Sequence, residues 1–415
     1  MQRSASSQPV SRSLRSLPRN VWAVSITSFL TDVSSDMVIN LIPLYLFNVV
    51  GAGTAVIGLI EGVAEMTASL LKIFSGWLSD RLGGRKWVAV AGYAISAFSK
   101  PFFFFASTAG AVGVVRWADR VGKGVRTAPR DALVADSVDA ESRGLAFGFQ
   151  RAADTAGAML GLAIAFVVIW RVQSASVTLS REAFQTVVLL SLVPAFLAVL
   201  ALAWIARDVP RQTAQRAPAL GLRGLGRPFL FFMVIVGVFD LGNSSDAFLI
   251  LRAQERGMSV LGVLGMLIVF NAIYTIVSTP AGSLSDRFGR RRVIVGGWLL
   301  YAAVYLGFAR AGQVWHVWFL YAAYGLYYGL AYGTAKALVA DLVPASVRGM
   351  AYGTYNATLG ILDLPASLIA GLLWQGVGGW SGFGPAAPFY FGAATALLAA
   401  VALSLWRPAT DAESR

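Results

Sequence analysis

The chain has 415 residues, of which 57% are hydrophobic and only 13% charged, about half the charged share of a soluble domain. That balance excludes an ordinary globular enzyme, and also a disordered chain, which needs the opposite bias. The formal charge of +13 would suggest nucleic acid in a soluble protein; here it reads as attraction to anionic lipid, with no nucleic-acid partner expected. There is no cysteine and one histidine, His316, which excludes disulfides, thiolate sites and histidine cages. No cofactor and no resident metal are expected.

Residues 1–19 are polar and carry Arg3, Arg12, Arg15 and Arg19; an apolar stretch follows from Val21 to Val50. A secretory signal would pair a basic start with a short apolar stretch and a small-residue cleavage site. The expectation is a cytoplasmic tail and a retained first span. A span takes about 20 apolar residues. The apolar runs predict twelve spans, at 20–47, 54–77, 87–107, 110–131, 144–170, 183–206, 228–251, 258–282, 293–310, 314–340, 349–375 and 386–406. The longest polar interruption, 207–227, is rich in Arg, Pro and Gly and reads as a cytoplasmic linker. It divides an N-terminal six-helix lobe, 20–206, from a C-terminal one, 228–406, with a second tail at 407–415. With both termini cytoplasmic, the tails and inner loops hold twenty basic residues. The outer loops hold five: Arg171, Arg181, Arg252, Arg256 and Arg310. That bias orients the chain.

Spans one and two supply acids. Asp32 and Asp36 are four apart on span one, Glu61 and Glu65 four apart on span two, with Lys72 on nearly the same face. Two close carboxylates in a low dielectric resist ionising together, which is how a membrane carboxylate carries a proton. A structural ion-pair net with Lys72, Lys100 and Arg116 is the other reading, and Arg151 and Asp154 on span five fit either. Span four carries Arg116, Asp119, Arg120, Lys123, Arg126 and Arg130. At about 100° per residue they share one stripe of roughly 140°. A charge at bilayer depth costs about 2.5–3.5 kcal/mol, so the stripe faces the bundle interior as a gate or coupling network. The alternative is that its lower half, from Lys123, has emerged among lipid headgroups.

The second half is less charged. Span seven has Asp240, Asn243, Ser244 and Asp246; span ten has Tyr321, Tyr324, Tyr327, Tyr328, Tyr332 and Lys336; span eleven has Tyr352, Tyr355, Asn356 and Asp363. The expected substrate cavity takes Asp240, Asn243, Asp246, Tyr327, Tyr328, Lys336, Tyr355, Asn356 and Asp363 from these. Packing and interfacial belt aromatics are the plainer reading. His316, beside Trp315 and Trp318, reads as an interface residue. Gly157-x-x-x-Gly161 and Gly325-x-x-x-Gly329-x-x-x-Gly333 let helices approach closely.

The halves repeat. Ser75-Gly-Trp-Leu-Ser-Asp80-Arg81-Leu-Gly83-Gly-Arg85-Lys86 returns 206 residues later as Ala281-Gly-Ser-Leu-Ser-Asp286-Arg287-Phe-Gly289-Arg-Arg291-Arg292. Ala132-Leu-Val-Ala-Asp136 returns as Ala337-Leu-Val-Ala-Asp341, at an offset of 205, and Arg143-Gly144 as Arg348-Gly349. Ser34-Ser35-Asp36 and Ser244-Ser245-Asp246 echo at 210. Offsets this steady imply a six-helix unit present twice in parallel.

With these loops the chain resembles the major facilitator superfamily. Gly76-x-Leu78-x-Asp80-Arg81-x-Gly83-x-Arg85-Lys86 fits its loop 2–3 signature, and Gly282-x-Leu284-x-Asp286-Arg287-x-Gly289-Arg290-Arg291 is the copy in loop 8–9. A narrower stretch, Asp119-Arg120-Val-Gly122-Lys123-Gly124-Val-Arg126-Thr-Ala-Pro129-Arg130-Asp131, resembles a bacterial branch that includes nickel-resistance-type permeases. The resemblance implies an all-α polytopic membrane protein, twelve transmembrane helices in two pseudo-symmetric six-helix lobes, in a bacterial inner membrane. It implies loops that latch one state through Asp80, Arg81, Gly83 and Arg85, and through Asp286, Arg287, Gly289 and Arg290, though topology anchoring alone would also suit them.

The only Gly-Lys, Gly122-Lys123, is followed by Gly124, so no phosphate-binding loop points to ATP. The resulting expectation is a monomeric secondary transporter, not an enzyme, that exports a small organic or cationic solute in exchange for protons. Coupling falls to Asp32, Asp36, Glu61, Glu65, Arg116, Asp119 and Arg120. Uptake or facilitated movement of a solute or metal chelate, and direct export of a divalent metal, remain the alternatives.

Overall fold

The computed structural model describes residues 17–82, 84–139, 142–173, 176–209, 225–344 and 347–406. The linker from 210 to 224, most of both tails, Gly83 and the side chain of Asp80 lie outside the described residues. Every predicted span is met by helix. The first half holds α1 (Arg19–Ile39), α2 (Ile42–Asn48), α3 (Thr54–Leu82), α4 (Lys86–Ser99), α5 (Phe102–Phe105), α6 (Ala109–Asp136), α7 (Arg143–Gln173) and α8 (Arg181–Ile205). The second holds α9 (Gly226–Leu241), α10 (Ala247–Glu255), α11 (Val260–Phe288), α12 (Arg290–Arg310), α13 (Val314–Asp341), α14 (Arg348–Gln375) and α15 (Ala387–Leu405).

Three spans are broken, each at a residue that explains the break. Pro43 sits in the first turn of α2; it has no N–H to donate to the preceding turn, so the hydrogen-bond ladder of α1 stops there. Pro101 separates α4 from α5 in the same way. Gly242 ends α9, and α10 resumes at Ala247. Among the described residues nine helices are long and apolar enough to cross a membrane. Span four misses that measure because of its charge stripe, span seven because it is broken, and span ten because of its tyrosines and glycines. All three cross inside the bundle, where neighbouring helices rather than lipid meet the polar side chains.

Within the first half, α1 packs on α7 and α8, and α6 on α3 and α4; in the second, α12 packs on α13 and α15, and α11 on α13. Small residues set the closeness. A Cβ on Gly157 or Gly161 would stand 2.4 Å from the carbonyl oxygen of Phe29 or Val33, so α7 lies backbone to backbone on α1. Gly325 and Gly329 meet α11 at Phe270 and Val277, but Gly333 faces open space and is no part of that contact. The Ser-Ser-Asp echo is not structural either. Ser34, Ser35 and Asp36 lie inside α1, whereas Ser244 and Ser245 lie in the break before α10. A shared tripeptide there marks different backbone.

The halves meet chiefly through α3 on α14, with smaller contacts of α7 on α11 and α2 on α10. Glycines again permit it: a Cβ on Gly58 would lie 2.2 Å from Ser367 O, on Gly62 2.7 Å from Leu364 Cα, and on Gly371 2.5 Å from Thr54 O. Thr54 Oγ1 donates to Gly371 O at 3.0 Å, and Thr54 N to Gln375 Oε1 at 2.9 Å. Gln254 Nε2 donates to Val177 O at 2.7 Å, and Val260 N to Ser176 O. All four bonds lie at one end of the bundle, the end away from the Asp-Arg loops. Among the described residues the other hydrogen bond between halves is Arg151 Nη2 to Tyr274 Oη at 2.9 Å, nearer mid-depth.

Candidate functional site

Between the halves lies a cavity of about 520 Å³, a size suited to a small organic ligand. Its sealed end is the α3–α14 seam. From α3 it takes Glu61, Glu65, Ser69 and Lys72, from α6 Arg116, Arg120 and Lys123, and from α7 Arg151. Across from them stand Asp240, Asn243 and Asp246 from span seven, Asn271 and Tyr274 from α11, Tyr328 and Tyr332 from α13, and Asn356 and Asp363 from α14.

An ion-pair net forms the first wall. Arg116, only 2% exposed, forks onto Glu61: Nε to Oε1 at 3.2 Å and Nη2 to Oε2 at 2.6 Å. The two-pronged geometry satisfies both carboxylate oxygens at once. Glu65 is shared, with its Oε1 3.5 Å from Arg116 Nη2 and 3.1 Å from Arg120 Nε. Neither of these contacts makes a well-aligned hydrogen bond, and Arg120 Nε has none. Asp119 lies 3.9 Å from Arg116. The two acids therefore differ: Glu61 is enclosed, with 5% of its side chain exposed, while Glu65 shows 32% toward the cavity.

The rest of the charge stripe is also inside the bundle. Arg126 is buried, donates to Ser96 Oγ at 2.7 Å and stacks over the Tyr93 ring at 4.7 Å. Arg130 pairs with Asp131 at 2.8 Å and reaches Ser28 on α1. Of the lower half of the stripe, α4 covers Arg126 and α1 meets Arg130, while Lys123 lines the cavity.

Asp32 and Asp36 stand apart. Neither makes an ion pair among the described residues, neither lines the cavity, and Asp36 Oδ1 accepts from Asn40 at 3.4 Å. Lys100 is buried and donates to Ser34 and Ser35, not to an acid. The four carboxylates thus do not form one ion-paired cluster among the described residues: Glu61 and Glu65 take the α6 arginines, and Asp32 and Asp36 on α1 do not.

On the second wall, Asp246 Oδ1 accepts from Tyr324 Oη at 2.8 Å. Asp240 is 5% exposed, and its Oδ1 faces Asn243 Nδ2 at 3.4 Å. Asp240 Oδ2 and Asn243 Oδ1 are buried without a hydrogen-bond partner. Tyr328, Asn356 and Asp363 line the cavity as expected from the sequence, but Tyr327, Tyr355 and Lys336 do not. Tyr327 is packed against Phe239 and Tyr301, Tyr355 is buried, and Lys336 sits over Tyr332 at 4.5 Å. Asn271 and Tyr274 of α11, outside the expected cavity set, also line it; three positions apart on one helix, they were the polar signal for a cavity face.

In the second loop the acid of the expected latch lies open to solvent. Asp286 is 72% exposed and 3.9 Å from Arg290. Arg81, Arg287 and Gly289 are exposed, and Gly289 takes φ +88°, a conformation glycine adopts without strain. Arg85 also reaches Asp136 at the end of α6, and Arg290 reaches Asp341 at the end of α13. Asp208, at the start of the linker, accepts from Arg85 N at 2.9 Å and Lys86 N at 3.1 Å, closing the first turn of α4. His316 is a helix cap: its Nδ1 accepts from Gln313 N at 3.2 Å.

The profile of the Major Facilitator Superfamily matches residues 24–273 and 230–415. An uncharacterized MFS-type transporter of Methanocaldococcus jannaschii is 34% identical over 396 residues, covering 94% of this chain and 95% of its own. The chain belongs to the major facilitator superfamily. It is a multi-pass membrane transporter, not an enzyme. Solved members of the superfamily share its fold. A D-xylose-proton symporter superposes with a TM-score of 0.74 at 16% identity, over 94% of this chain and 98% of its own. A nucleoside transporter does so with a TM-score of 0.74 at 14% identity, over 94% and 100%.

Proposed function

We propose that this protein is a proton-coupled secondary transporter that carries a small organic solute by alternating access of its two lobes. The observation that carries the reading is Glu65: an acid in the wall of a central cavity, held by two arginines yet reachable from the cavity. Protonating it removes its attraction to Arg116 and Arg120, while Glu61 keeps Arg116 fixed. The change is local and reversible, and it alters one wall of a cavity whose walls belong to different lobes. Such a change biases one facing state only through contacts that differ between the states; the arginine pairs on α3 and α6 supply them. With the basic loops at the cytoplasm, as the charge bias expects, the sealed α3–α14 end is the outer one. The structure is then the inward-facing state.

The test is flux in proteoliposomes with a pH-sensitive dye. Glu65→Gln should abolish solute-induced proton movement and leave solute exchange measurable. Wild-type proton movement in that variant would overturn the assignment of coupling to Glu65. Export, the direction inferred from the sequence, predicts that everted vesicles acidified inside accumulate the solute; accumulation only with the opposite gradient would reverse it.

A further inference from the structure

We infer that the solute is a zwitterion, with its anionic group on the N-terminal wall of the cavity and its amine on the C-terminal wall. This rests on the transport reading above and specifies its cargo. The two walls offer complementary groups, bases on the first and acids on the second. On the first, Glu61 and Glu65 are taken by Arg116 and Arg120, which leaves Lys72, Lys123 and Arg151 lining the cavity with no carboxylate within 4 Å among the described residues. The second wall has Asp240, Asp246 and Asp363 and no lysine or arginine. No ion pair joins the two walls among the described residues.

The unmet hydrogen-bonding capacity agrees with the charge. Asp240 is nineteen-twentieths buried, yet its Oδ2 has no donor, and Asn243 Oδ1 beside it has none. A buried carboxylate oxygen left unpaired is costly, so this corner accepts an N–H donor. A plain cation would satisfy it but leave Lys72 and Lys123 without an anionic partner; a plain anion would do the reverse. A small molecule with both groups pairs with each wall at once. It would also tie the lobes together when bound, and so favour the occluded state only when the cavity is filled.

The experiment uses the full chain in liposomes and three forms of each probe: free small amino acids, their methyl esters and their N-acetyl derivatives. Binding is read as thermal stabilisation and transport as counterflow. At least one free amino acid should bind about ten-fold or more tightly than either of its blocked forms. Asp240→Asn should weaken the free form and the ester while sparing the N-acetyl form; Lys123→Gln should weaken the free and N-acetyl forms while sparing the ester. A panel in which no free amino acid outcompetes its blocked forms overturns the inference. Flux of a blocked form as fast as its parent removes this inference and leaves the transport reading standing. Binding of a free form without flux does the opposite.

Discussion

Arg290 Nε lies 2.8 Å from Oδ2 of Asp341, joining the first residue of α12 to the last residue of α13. The repeat unit makes the same bond: Arg85, 205 residues earlier, meets Asp136 at the end of α6 at 2.5 Å. A carboxylate at a helix C-terminus opposes the helix dipole, and in each lobe an arginine from the loop signature offsets it. The recurring Ala-Leu-Val-Ala-Asp segments are therefore the second half of the loop motif, folded back onto it.

Asp341→Asn and Asp136→Asn should slow flux more than Asp286→Asn does. Their side chains are 49% and 37% exposed, so each pair contributes only about 0–1 kcal/mol to stability. Melting should move by a few degrees at most. Equal flux in Asp341→Asn and Asp286→Asn would show that the arginine contact does not govern the loop.

The Arg116–Glu61 pair should behave in the opposite way. Arg116→Met leaves Glu61 enclosed without its partner, an outcome that costs about 3–5 kcal/mol in buried pairs. The double variant Arg116→Met, Glu61→Gln should recover much of that loss, because it removes both charges. Thermal unfolding of the three variants in detergent measures the coupling; additive losses would mean that the fork is not an interacting pair.

Closure of the end away from the Asp-Arg loops, the outer one in the proposed orientation, rests on glycine. Gly371→Leu would drive a side chain into Thr54 O and Ala55 Cα, 2.5 and 2.7 Å from its Cβ. The chain has no cysteine, so Ala247→Cys, buried on the cavity's outer side, reports opening without background. An impermeant maleimide should label it several-fold faster from outside in the Gly371→Leu background. Unchanged labelling would show that the seam is not the outer gate.

Asp208→Ala should loosen the start of α4. It deletes the acceptor for Arg85 N and Lys86 N, and loss of such a cap costs about 0.5–2 kcal/mol. Hydrogen exchange should rise at residues 85–89, while Asp208→Asn, which keeps an acceptor oxygen, changes it less. Protection unaltered in Asp208→Ala would remove the linker from the account of this turn.

Among the described residues hydropathy located the nine plainly apolar crossings, because a run facing lipid answers to lipid wherever its neighbours lie. The offset of 205–206 fixed the duplication, since a repeat is a property of order along the chain. Charge on α6 likewise required an interior face, as no other place at that depth tolerates it. The chain order could not say which helix that face would meet. Arg116 meets Glu61 rather than Asp36 because α3 packs along α6, whereas α1 packs chiefly on α7 and α8. Tyr327 and Tyr355 went into packing while Tyr274 reached the cavity, although all are tyrosines on helices. The sealed end, the unpaired Asp240 oxygen and the opposed walls arise only when α3 lies on α14. A helix's period shows that a face is polar, but its partner is selected by packing between residues hundreds of positions apart.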